Sequence, residues 1–205
     1  MTAPTTVRVP PARLVRWVEN FATRHGHTDL AVRDGSLVGV AADGSTFAAT
    51  LPFATSYDGP AEVARFVTAA QAPALWGVLL VRKGGFAVAR LQGESLVEHK
   101  IGQRHVQGRT KAGGQSQQRF ARRRDNQARR AYEAAADHAA RILGERPLPL
   151  VTGGDRGAVD EVLTDARLRR VTVVGPWLDV PDPRRAVLDR AVTDALSVAV
   201  GVVNS

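Results

Sequence analysis

Residues 148–174 read LPLVTGGDRGAVDEVLTDARLRRVTVV, and the fold class follows from how that stretch alternates. An apolar run at 148–152 has strand length. Asp155 then opens a helical pattern in which Val159, Val162 and Leu163 share one side, and a β-branched run follows at 171–174. Strand, helix and strand in sequence predict two parallel strands joined by a crossover. Upstream the pattern differs. Runs at 77–82, 86–91 and 94–100 are separated by Lys83-Gly84-Gly85 and Gln92-Gly93, turn sequences that predict antiparallel hairpins. A long helix from Ser116 to about Leu143 links the two patterns, with Phe120, Ala128, Ala131, Ala135, Ala139 and Ile142 on one side. A final helix is expected from Pro183 to about Ala199. The expectation is an α+β (mixed α/β) fold, with a mixed sheet and flanking helices over residues 73–205.

Residues 1–72 form the other part. Leu14, Trp17, Val18 and Phe21 recur at helical spacing after Pro10-Pro11, and Gly26 ends that helix. Strands are expected at 28–33, 36–41 and 46–52, because Asp34-Gly35 and Asp43-Gly44 supply the positive φ of tight hairpin turns. A helix opened by Pro60 and carrying Val63, Phe66 and Val67 completes a small α-β-β-β-α layer of unassigned function.

The chain has 205 residues with 28 Lys plus Arg against 20 Asp plus Glu, and no cysteine. The last fact excludes disulfides, a thiolate nucleophile and Cys-ligated metal sites. The N-terminal sequence has no apolar core of a signal peptide, and no apolar run is long enough to span a bilayer, so a soluble cytoplasmic protein is expected. Charge is concentrated. Residues 100–130 hold ten basic residues and Asp125 as the sole acid, a local +9 on a chain whose total is +8. Such a segment on a nearly neutral body reads as a footprint for a polyanion.

Within it stands KAGGQSQQRFARRRDNQARR, residues 111–130, at the end of a polar, Gly-punctuated loop expected over 101–115. Adjacent glycines at 113 and 114 open backbone conformations closed to other residues and let a ligand touch the main chain. Gln115 has no pKa with which to act as a base. Its amide donor and acceptor and its backbone N–H suit it to orienting water and stabilising an oxyanion.

The string resembles the GGQ loop and following helix of the middle domain of eukaryotic and archaeal class-one peptide-chain release factors. It is closer still to the bacterial branch of the Vms-type release-factor-like family. The matching positions are Gly113, Gly114, Gln115 and Ser116, then Arg119-Phe120-Ala121-Arg122 and the basic helix beyond. The resemblance implies a peptidyl-tRNA hydrolase for ribosome rescue and quality control, in which Gln115, Gly114 and Gly113 form the catalytic tip. Arg109, Lys111, Arg119, Arg122, Arg123, Arg124, Arg129 and Arg130 would contact rRNA or the acceptor end of tRNA. The implied partners are the large ribosomal subunit, its rRNA and peptidyl-tRNA. Separately, no DNA, membrane or cofactor is expected, and the protein is expected to be a monomer. Two alternatives stand beside hydrolysis: a non-catalytic rRNA-binding module, and an endonuclease cutting the tRNA 3′ end. A chain of this length lacks room for the codon-reading and GTPase-recruiting domains of true class-one factors, so a stop-codon role is not expected.

Other polar groups read blandly. His25, His27, His99, His105 and His138 lack metal-ligand spacing. Asp155, Asp160, Glu161 and Asp165 read as a solvated helix face. Thr152-Gly153-Gly154-Asp155 lacks the Lys-Ser/Thr of a P-loop and reads as a strand-to-helix connection.

Overall fold

The computed structural model describes residues 5–83, 85–103, 116–144 and 146–205, with 116–128 described as backbone only. By its contacts the chain groups into Met1–Ala72 with Val192–Ser205, and Pro73–Ala191.

In the first unit, the two Asp-Gly pairs do what their chemistry requires. Asp34 and Gly35 both adopt positive φ, at 48° and 72°, and join β2 (Thr28–Arg33) to β3 (Ser36–Ala41) in a two-residue hairpin. At the next turn the Asp43 carboxylate accepts from the Ser45 N–H at 2.8 Å, and β4 (Thr46–Thr50) follows. Helix α1 (Pro11–His25) has Pro at its first position and buries Leu14, Val18 and Phe21, with Phe21 and Phe47 meeting edge to face at 5.1 Å. Helix α2 (Val63–Ala69) adds the fully buried Phe66. Two strands go beyond the sequence reading. The sheet has five strands in the order β1-β10-β4-β3-β2, with β1 at Thr5–Val9 and β10 at Val198–Val203. The last helix, α5 (Arg185–Ala195), therefore stops short of the expected Ala199. Val198 and Val200 then alternate into the core at strand spacing and are fully buried.

The second unit carries the mixed sheet expected from the sequence. Its order is β7-β6-β5-β8-β9, with β5 (Trp76–Arg82), β6 (Gly85–Gln92) and β7 (Ser95–Gln103) antiparallel. Strands β8 (Leu148–Gly154) and β9 (Val171–Leu178) are added in parallel on the far side of β5. β7 runs to Gln103, so strand replaces the start of the loop expected from Ile101. Helices α3 (Ser116–Leu143) and α4 (Arg156–Leu163) share one core with the sheet, built on Leu79, Val88, Ile142, Leu150 and Val159. α3 lies close to β5 because its buried side is mostly alanine and because Gly77 has no side chain where Leu143 packs.

The connection after β8 is structural, as expected. The Asp155 carboxylate caps α4 by accepting from the Ala158 N–H at 3.3 Å. A Cβ at Gly153 would run into the Leu178 carbonyl oxygen, which is backbone and cannot swing away. Gly153→Ala should therefore destabilise the fold by about 1–3 kcal/mol through displaced β8–β9 pairing. An unchanged denaturation midpoint would contradict that packing.

Candidate RNA-facing helix and its support

Helix α3 has 28 residues, a length of about 42 Å at 1.5 Å per residue. Its described C-terminal half is anchored, with Ala131, Ala135, Ala136, Ala139, Ile142 and Leu143 all buried. These agree with the apolar side expected at Ala131, Ala135, Ala139 and Ile142. Arg129 and Arg130 are exposed, where a polyanion can reach them. Arg119, Arg122, Arg123 and Arg124 lie on the same helix. Their side chains, like those of Phe120 and Ala128, fall outside the described residues. So do Arg109, Lys111, Gly113, Gly114 and Gln115, and His105 with them.

What the structure describes is the frame on either side of that segment. β7 leads into it and α3 leads out, and the two are tied together. Glu98 on β7 accepts from Arg141 Nη1 on α3 at 2.6 Å and from Arg90 Nη2 on β6 at 3.4 Å. Phe86 on β6 stacks with His138 on α3, centroids 5.6 Å apart. Sequence reading passes over Glu98, because its partner is 43 positions away and no local pattern marks it.

An open cleft of about 350 Å³ runs beside the exposed side of α3, lined by Arg129, Tyr132, Asp137, Glu161, Asp165 and Arg167 among others. Burial pushes the Tyr132 hydroxyl above its ordinary range, and the Asp155 and Glu161 carboxylates push it further. It is therefore a neutral donor near neutral pH rather than a base. Asp165 is the opposite case. It caps a 3-10 turn at Ala166–Leu168 and accepts from the Arg167 backbone N–H at 2.9 Å and from Arg167 Nη2 at 2.6 Å. Arg167 Nη2 also reaches Asp137 on α3 at 2.7 Å. The Arg167 guanidinium first, and its backbone N–H second, hold the Asp165 carboxyl down to about 2 from 3.8.

A depressed folded-state pKa means the stabilisation is present above the unfolded value and disappears as pH falls through the folded one. Asp165→Asn should thus lower the melting temperature most above about pH 4, and the gap from wild type should narrow toward pH 2. A gap independent of pH over that range would contradict the ion pair as its source.

His25 and His99 each have a near polar partner. His25 Nδ1 lies 2.8 Å from Asp43, and His99 lies 3.2 Å from Arg185. Asp155 and Asp165 are caps, which corrects their reading as part of a solvated helix face. No helix among the described residues is long and apolar enough to cross a membrane.

The second unit thus presents a mixed sheet backed by a long helix, with a concentrated basic segment at the helix start. The chain matches the family model described as the Actinobacteria/chloroflexi VLRF1 release factor over residues 74–201. The match covers more than half of the chain, and the chain belongs to that family. Membership carries a release-factor-like role in ribosome rescue and, with it, interaction with the ribosome. Among solved structures, the chain is similar to one titled the Vms1 mitochondrial localization core, at 13% identity and a TM-score of 0.39. That alignment covers 91% of this chain and 81% of the other. No curated protein matches the chain in sequence.

Proposed function

We propose that the protein hydrolyses the ester joining a nascent peptide to tRNA on stalled ribosomes or separated large subunits, with Gln115 at the reacting centre. The observation that carries this reading is the position of Gly113-Gly114-Gln115, which directly precedes the first residue of α3 inside the span matched by the release-factor family. The exposed Arg129 and Arg130 further along that helix support it.

The chemistry asks little of the protein. An aminoacyl ester is already activated, so orientation and charge stabilisation suffice without a titratable base. The Gln115 side chain positions a water against the ester carbonyl carbon, and its backbone N–H faces the oxygen on which negative charge develops. A new bond forms from the water oxygen to that carbon. The bond from the carbon to the ribose 3′ oxygen breaks, and a water proton ends on that oxygen. The products are a free peptide acid and a full-length tRNA with its 3′ hydroxyl restored. Gly113 and Gly114 let the main chain approach this closely. Lys111, Arg109 and the α3 arginines neutralise the phosphates around the acceptor end.

The test uses large subunits carrying labelled peptidyl-tRNA. The reading expects free peptide with intact tRNA. Shortened tRNA would instead identify a 3′-end nuclease, and binding without any product would leave an rRNA-binding module.

A further inference from the structure

Resting on the reading that the protein works against ribosomal RNA, we propose that Arg169 and Arg170 form a second RNA-backbone contact, held in place by Arg167. The starting point is composition. From residue 166 to residue 178 the chain carries three arginines and no acid. Local structure then directs them outward. Leu168 is 2% exposed and fixes the middle of the tract in the core, while Arg167, Arg169 and Arg170 are exposed around it. They line an open concavity of about 290 Å³ together with Ala166.

Arg167 is committed to Asp165 and Asp137, and its bond to Asp137 clamps the tract against α3. Arg169 and Arg170 are exposed and line the concavity beside it. Planar guanidinium forks suit phosphate oxygens, and among the described residues no aromatic side chain lines the concavity to stack a base. The ligand chemistry is therefore a sugar–phosphate backbone read without regard to sequence. Arg167 meets α3 at Asp137, 21 residues beyond Ser116 and so about 30 Å along the helix axis. A contact there contributes to binding and not to the reacting centre. The plainer role for these arginines is to guard β9, the edge strand that they precede and on which Val173 is 52% exposed. A guard would alter self-association and leave RNA affinity alone.

The test is binding of the full chain to purified large ribosomal subunits across a salt series, for wild type, Arg169→Glu/Arg170→Glu and Arg169→Gln/Arg170→Gln. The proposal expects the Glu pair to weaken binding about tenfold or more and to lower the slope of log K against log salt by about two, with the Gln pair between. Peptide release at saturating protein should stay at the wild-type rate. Affinity and slope equal to wild type in both pairs would overturn the proposal, as would lost release with binding intact. If wild type binds subunits but releases no peptide, hydrolysis fails while the arginine contact is judged on the binding data alone.

Discussion

Replacing Gln115 with alanine should lower the rate of peptide release by about 10²–10³-fold while leaving the affinity for large subunits within about twofold of wild type. The expected size is that of losing the side chain that orients the attacking water, since alanine keeps the backbone N–H that faces the developing oxyanion. Binding should survive because the side chain removed is one neutral amide among many cationic contacts. The local +9 of residues 100–130 is untouched by the substitution. A second consequence separates this site from acid–base catalysis. Gln115 has no ionisable group, so the pH dependence of wild-type release should lack a pKa that the alanine variant abolishes. If Gln115→Ala releases peptide at the wild-type rate, Gln115 has no part in the chemistry.

Reversing charge at Arg122, Arg123 and Arg124 should produce the complementary defect. Each phosphate neutralised contributes about 0.9 to the slope of log K against log salt for a duplex, and about 0.7 for a single strand. Losing three contacts should flatten that slope by roughly two to three, and affinity at low salt should drop by about 10²-fold. Release measured with enough protein to saturate the subunits should be far less affected than release at limiting protein. Unchanged affinity with an unchanged slope would remove the basic start of α3 as an RNA contact. Together these two outcomes would divide the segment into a tip that reacts and a shaft that binds.

The helix that bears these residues was legible in sequence because its signals are local. Ser116 begins it, alanines at 131, 135 and 139 repeat on one side, and Ile142 closes the same stripe. The Asp34-Gly35 hairpin was legible for the same reason, since its positive φ values are a property of two adjacent residues. The mixed sheet followed from turn-separated strands giving way to a strand–helix–strand unit. What escaped notice depends on distant partners. β10 pairs Val200 with Ala49 on one side and Val7 on the other. Nothing within residues 196–203 announces those neighbours, and the absence of Gly or Pro at the end of α5 let the helical pattern run on. Strand β1 is short and precedes Pro10-Pro11, which reads as a loop. The Glu98–Arg141 tie and the Arg167–Asp137 bond join residues 43 and 30 positions apart. Only three-dimensional proximity makes them pairs. The tip itself was the reverse: the motif at 113–115 is read from sequence chemistry and family membership.

Mass spectrometry of peptide released in ¹⁸O-labelled water tests the central claim most directly, because it follows the oxygen of the attacking water. With large subunits bearing peptidyl-tRNA and wild-type protein, the released peptide should carry one labelled oxygen in its C-terminal carboxylate, and the tRNA should keep its terminal adenosine. A peptide that leaves still esterified to a nucleotide fragment, or one released without the label, would contradict solvent attack on the ester guided by Gln115.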